Sequence, residues 1–340
     1  MENIYRQPYP VNSFNEHYNS SVNMSHKQGF WNINAFQKRL VLVCSYVIIA
    51  QNCSKVIKIL RNMVSDKPVH GLLLVERDFR GGLKGCEMKR LIDLSVPTED
   101  SPSEPIPVKV SHEEHRLSVE LMKMFFGCAE GDLPEGSGWA NDTVNMISHA
   151  GTHVDAPWHY SPVSEGREAR TIDEMPLEWF YNDGVVLDMR HKPRGSGVSV
   201  DDLQKALVRI NYKIKPWDIV LIQTGADKLW GKPEYFEAGC GMTRDSTIWL
   251  IDKGVRVMGI DAWGWDRPFW ALKEEFARTG DKNLLWGAHY AGIEKEYCHI
   301  EKLANLDRLP RPFGFKVACF PVKLTGGSAA WSRVVAILED

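Results

Sequence analysis

The sequence predicts a mixed α/β domain, and three observations carry that prediction. From about residue 88 onward, short apolar runs of strand character alternate with helix-like segments. The composition is that of an ordinary globular protein, 44% hydrophobic and 25% charged. The 340 residues supply enough chain for one large domain or two medium ones with a sizeable core.

Taken in order, Lys89-Arg-Leu-Ile-Asp-Leu-Ser-Val reads as the opening strand. Val144-Asn-Met-Ile-Ser reads as a strand running straight into a histidine-rich segment. Gly184-Val-Val-Leu-Asp-Met is a short strand of the buried type. Val200-Asp-Asp-Leu-Gln-Lys-Ala-Leu starts like a capped helix, with Ser199 as N-cap. Asp218-Ile-Val-Leu-Ile-Gln-Thr-Gly is a strand ending in a turn. Arg244 to Asp252 reads as a helix, followed by the strand Val255-Arg-Val-Met-Gly-Ile-Asp. Lys316-Val-Ala-Cys-Phe-Pro and Arg333-Val-Val-Ala-Ile-Leu close the chain as strands.

Residues 1–87 differ in texture. Residues 1–37 are rich in Asn, Ser, Tyr and Gln; residues 38–87 hold an apolar stretch and then a basic, Gly-rich patch. Two readings stand for this segment: an N-terminal extension, partly disordered, or text ahead of a true start at Met88. The functional domain is accordingly expected over 88–340.

The net charge of −3 supplies no basic surplus for a polyanion, so a nucleic-acid role is not expected. The most apolar run, Leu40 to Ala50, is too short for a membrane span, which needs about 20 residues. It also starts too far from Met1 for a signal-peptide core. Seven cysteines, an odd number without a Cys-x-x-Cys pair, fit reduced thiols in a cytoplasmic protein.

The chemistry concentrates in His149-Ala-Gly-Thr-His153-Val-Asp155-Ala-Pro157-Trp-His159. Three of the chain's eleven histidines fall here beside an aspartate, and imidazole with carboxylate is the usual ligand set for zinc and similar divalent metals. All four ionisable residues lie at even offsets, so an extended chain would put them on one face. A helix is disfavoured by Gly151, by the β-branched Thr152 and Val154, and by Pro157. A straight strand, however, would hold His149 and His153 about 13 Å apart. Convergence therefore requires a kink, which Gly151 can supply, and a turn at Pro157 to fold His159 back.

This His-x-Gly-Thr-His-x-Asp-x-Pro-x-His pattern resembles the defining motif of the cyclase-like metal-dependent hydrolases, among them bacterial kynurenine formamidases and isatin hydrolases. The likeness extends over roughly 88 to 340, through Ile92-Asp-Leu-Ser95, Thr224-Gly225, Gly259-Ile-Asp261 and the ending Gly326-Gly-Ser-Ala-Ala-Trp-Ser-Arg333. The resemblance implies a sheet, or a barrel-like sheet, flanked by helices in a swivelling β/β/α-like fold. It implies one metal on His149, His153 and Asp155, with Asp155 bridging to a second ion completed by His289 and Glu301. Zn²⁺ or Mn²⁺, as one or two ions, is the cofactor so implied. His299 competes with Glu301 for the ligand role. Since twelve residues of one helix span about 18 Å, the chain must turn between His289 and Glu301, and Gly292 offers a place.

The activity expected is hydrolysis of a C–N amide bond in a small aryl formamide or cyclic amide. A divalent metal lowers the pKa of bound water to about 7 and polarises a carbonyl. His159, just outside the ligand cluster, is the natural acid/base. The rivals are a lactone hydrolase or a cyclising dehydratase on the same site and, from another class, a non-catalytic metal-binding protein. No Gly-x-Ser-x-Gly elbow supports a serine hydrolase. A small-molecule substrate and a homodimer or higher homo-oligomer complete the implied picture.

Trp263 and Trp265, in the aromatic segment 262–270, either line a pocket for a planar substrate or belong to a packed loop or subunit contact, and Gln223 is read as a substrate contact or as a structural residue at a strand end. That segment departs from the shorter one of kynurenine formamidases. Asp261 is a potential partner of the site. His112-Glu-Glu-His115 reads as a solvated turn, and Trp139 as a buried aromatic.

Overall fold

The computed structural model describes residues 90–338. The two readings of residues 1–87, and Met88 as a start, lie outside the described residues. Nine strands form one sheet. In chain order they are β1 (Arg90–Asp93), β2 (His153–Asp155), β3 (Tyr181–Asp188), β4 (Ile219–Gln223), β5 (Val257–Ile260), β6 (Cys298–Glu301), β7 (Phe313–Ala318), β8 (Ala329–Trp331) and β9 (Val335–Leu338). Their spatial order is β1-β9-β7-β3-β4-β5-β6-β2-β8.

β3 to β6 form a parallel block. Antiparallel strands extend it on both sides: β7, β9 and β1 on one, β2 and β8 on the other. Within the block the crossovers between parallel strands carry helices, as parallel pairing demands. These are α2 (Val200–Arg209), α3 (Arg244–Asp252), α4 (Phe269–Thr279) and α5 (Gly287–Glu294); α1 (Val119–Phe126) lies earlier in the chain, beside a two-stranded hairpin. The α2 N-terminus forms as predicted: the Ser199 hydroxyl accepts from the Asp202 amide, and Asp202 accepts from the Ser199 amide.

Alternating side chains feed two cores. Val185, Leu187, Val220, Ile222, Met258 and Ile260 face Leu203 of α2, Leu250 of α3 and Ala288 of α5. Val186, Ile219, Leu221, Val257 and Ile300 face the other way, toward Phe315 and Ala336 from one flank and Val154 from the opposite one. Residues of both flanks share that core because the sheet curls. Beyond β1, the Leu94 carbonyl accepts from the Ala304 amide at 2.8 Å, and Ser95 bridges Leu303 just beyond β6. Both descriptions expected from the sequence, mixed α/β and barrel-like, are met in this curled sheet.

One boundary differs from expectation. The strand read at 144–148 is Asn141–Asn145, and it pairs with Lys109–Glu113 in a separate exposed hairpin. It stops short of the histidine segment because residues 147–152 form turns, and the main sheet resumes only at His153. His112 and His115 are exposed in and beside this hairpin, and His112 approaches Asp142 at 2.5 Å. Trp139 is half-buried and stacks on Phe125. Among the described residues no helix is long and apolar enough to cross a membrane, and Cys128, Cys240, Cys298 and Cys319 are free thiols.

Candidate metal centre

Three local devices bring the 149–159 segment to a point. Gly151 adopts φ +63°, a left-handed turn that glycine enters at no steric cost. It bends the chain so that His149, ahead of the turn, meets residues of β2. Within β2, His153 and Asp155 point to one face while Val154 enters the opposite core. Pro157 then opens a single helical turn, Pro157–Tyr160, which returns His159 over Asp155.

The second half arrives from far along the chain. β6 pairs antiparallel to β2 with His299 opposite Asp155 and Glu301 opposite His153. His289 comes down from α5. Gly292 is not where the chain turns: it lies inside α5, and the helix ends at Glu294. Its role is close approach, since a Cβ there would sit 2.3 Å from the Tyr160 ring.

Asp155 is the centre of the result. His149 Nδ1 lies 3.0 Å and His153 Nε2 3.1 Å from its Oδ1. His299 Nε2, His159 Nε2 and His289 Nε2 lie 3.2, 3.6 and 3.8 Å from its Oδ2. Glu301 stands 3.2 Å from His299, 3.5 Å from His289 and 3.6 Å from His153. The cluster is layered. Asp155, His153, His289, His299 and Glu301 are buried, whereas the His149 and His159 side chains remain 22% and 24% exposed.

The donor set fits a cation. His153 Nδ1 lies 2.9 Å from the Gly151 carbonyl, which can only accept, so Nδ1 donates and Nε2 is the ring nitrogen turned to Asp155. That atom and both carboxylate oxygens of Asp155 are buried without any hydrogen-bond partner. Buried acceptors facing one another cost several kcal/mol unless positive charge lies between them. At His289, Asp266 takes Nδ1 at 2.5 Å and turns Nε2 inward toward Asp155 and Glu301.

Ionisation follows the same logic. Burial works to raise the Asp155 carboxyl, but His159, His149 and His153 hold it well below the usual carboxylate range. Burial and Asp155 oppose ionisation of Glu301, and His289 and His299 overcome them and hold its carboxyl low. Burial lowers His149, and Asp155 reverses that and raises it. Burial dominates at His159, which together with its imidazole neighbours falls to about 4, so the ring is neutral at pH 7. Burial also opposes a proton on His289, yet Asp266 and Glu301 push it up to about 9.

Several supporting residues carry no signature in the sequence. Asp266 accepts from the Ala288 and His289 amides as well as from the imidazole. Lys302, fully buried, pairs with Glu104 at 2.8 Å and donates to the His149 carbonyl, while Glu104 accepts from the Gly151 amide. This ion pair fixes the loop bearing His149. Trp286 stacks on His289 and meets His159 edge-on, forming a wall beside the exposed imidazoles.

The substrate-contact residues expected from the sequence fall in different places. Trp265 is fully buried beneath the cluster; its ring stacks on His299 and its amide donates to Glu301. Trp263 is half-buried, packed edge-on against Phe236, with the Lys302 ammonium over its ring. Gln223 lines a separate cavity of about 300 Å³ with Asp188, Arg190 and Leu306, which no cluster residue lines. Asp261 is buried and accepts from Thr224 and Gly225, holding the turn after β4; burial pushes its carboxyl up to about 7.

Comparison with known proteins places the chain. A kynurenine formamidase of Salinibacter ruber (strain DSM 13855 / M31) is 26% identical over 207 residues, covering 58% of this chain and 79% of the relative. Two solved isatin hydrolases share the fold. One, bound to the product analogue thioisatinate, has a TM-score of 0.58 at 18% identity, covering 74% of this chain and 93% of its own. The other, isatin hydrolase A from Ralstonia solanacearum, has a TM-score of 0.58 at 23% identity, covering 74% and 92%. The family model described as "Putative cyclase" matches residues 92–267, more than half of the chain, taking in the 149–159 segment and ending before His289. The chain belongs to the Putative cyclase family.

Proposed function

We propose that this protein is a metal-dependent hydrolase that cleaves a C–N amide bond in a small aryl formamide or cyclic amide. One observation carries the reading: His153 Nε2 and the Asp155 oxygens are buried without a hydrogen-bond partner, and Nε2 faces Oδ1 at 3.1 Å. His149, His153 and Asp155 would hold one divalent ion, Zn²⁺ or Mn²⁺, and Asp155, His289 and Glu301 a second. When bound, such an ion activates water and polarises a carbonyl.

The chain's own residues supply the rest. His149 and His159 are the members of the cluster with solvent access, so substrate enters over them, beside Trp286. The flat wall of Trp286 suits a planar aryl group. His159, part-exposed at the rim of the cluster and 3.6 Å from Asp155, takes a proton from the attacking water and returns it to the leaving nitrogen. The names of the relatives, kynurenine formamidase and isatin hydrolase, support an aryl amide as the substrate class.

The functional unit is taken to be residues 88–340, acting as a homodimer. The test is metal analysis of the purified full chain together with hydrolysis assays on N-formylkynurenine, isatin and an unsaturated lactone. Bound divalent metal with turnover of either amide supports the reading. Turnover of the lactone alone moves the assignment to an ester-cleaving enzyme, and a metal-free, inactive protein overturns it.

A further inference from the structure

Resting on the metal-dependent reading above, we infer that His299 is an additional ligand of the inner cation. That ion is then held by four protein groups, Asp155, His289, His299 and Glu301, and the two metal positions hold their ions with unequal strength.

The argument begins with register. β6 sets His299 opposite Asp155, and Glu301, two residues on, shares its face. His299 Nε2 stands 3.2 Å from Asp155 Oδ2 and 3.2 Å from Glu301 Oε1. One donor atom from each of Asp155, His289, His299 and Glu301 falls within a set spanning no more than 4.8 Å, and all four residues are buried.

The ring is fixed on every side. Tyr160 stacks on one face at 5.2 Å and 10°, and Trp265 lies near-parallel at 5.5 Å and 16°. The Tyr160 hydroxyl meets Nδ1 at 3.0 Å, so Nε2 is the ring nitrogen turned to the two carboxylates. Such immobilisation suits a ligand whose lone pair must stay aimed.

A site with four protein ligands is of the closed type, whereas catalytic sites keep a position open for water or substrate. The inner ion therefore stays with the protein, and the outer one, next to the part-exposed His149 and His159, exchanges. The rival role for His299 is a neutral ring that only donates a hydrogen bond from Nε2 to Glu301.

The test is metal retention. The full chain is loaded with Zn²⁺, dialysed against graded EDTA and assayed for zinc by mass spectrometry, with a parallel Co²⁺ loading read by visible absorption. Wild type should lose its zinc in two stages, keeping one equivalent where the other has gone. His299→Leu should abolish the retained equivalent and its Co²⁺ band. Its inner-site affinity should fall more than about 100-fold, since losses outside the ligand shell already cost about 10–100-fold. His299→Gln, which keeps a polar side chain of similar reach, guards against misfolding; both variants are checked by circular dichroism. Unchanged retention in folded His299→Leu or His299→Gln overturns the proposal, as does single-stage loss from wild type. Wild type that takes up no zinc at all instead overturns the metal-dependent reading itself.

Discussion

Asp155 lies 3.0 to 3.8 Å from nitrogens of five imidazoles. Replacing it with asparagine halves its oxygen donors and removes the charge the cations need, so Asp155→Asn is expected to purify without metal by elemental analysis. His159→Ala should retain its metal and lose about 10²- to 10⁴-fold in kcat, the usual worth of a positioned acid/base. Loss of metal from that variant would make His159 a ligand. Asp266→Asn should weaken metal affinity about 10- to 100-fold in a chelator competition, because Asp266 fixes the tautomer of His289. At this scale the sequence was legible where the signal was local. The 149–159 spacing announced itself, and Gly151 and Pro157 were the only residues able to bend it. Asp266, Glu104 and Lys302 were not legible, because each meets its partner across a long stretch of chain and none has a distinguishing neighbourhood.

Helix α2 shows what capping contributes to an element. Ser199→Ala removes the acceptor for the Asp202 amide and should cost about 1 kcal/mol in urea unfolding. Burial works to raise the Asp202 carboxyl, but Lys192 and the Ser199 donors hold it at about 2. Its folded value lies below the unfolded value near 3.8, so its contribution is fully present above about pH 4 and is lost as pH falls toward 2. Asp202→Asn should therefore narrow the stability gap to wild type across that window and leave it unchanged between pH 5 and 7, measured as thermal midpoints. α2 was readable because its polar cap, Ser199, precedes a clear apolar periodicity. The strand at 144–148 was misplaced because a β-rich run does not reveal which partner it pairs with, and Lys109–Glu113 captured it. The position of Gly292 was equally hidden: its contact with Tyr160 exists only once α5 is docked.

Across the whole molecule, the Lys302–Glu104 pair ties the segment after β1 to the end of β6 and to the loop bearing His149. Both side chains are nearly fully buried, 2% and 3% exposed. Lys302→Met alone strands the Glu104 charge and should destabilise by about 3–5 kcal/mol in equilibrium denaturation, with much of that recovered in the Lys302→Met/Glu104→Leu double variant. The fold class was legible from alternating strands and helices, whereas the curl of the sheet was legible only through the family resemblance, since it is written in contacts such as Leu94 with Ala304. β2, the strand carrying Asp155, has β6 and β8 as its neighbours, and both are synthesised more than a hundred residues later. The carboxylate at the heart of the cluster is thus without a pairing partner on a growing chain until nearly all of it has left the ribosome. On the proposed ligand sets, only the inner cation waits for His299 and Glu301, so a nascent polypeptide arrested before Cys298 should fail to retain that ion.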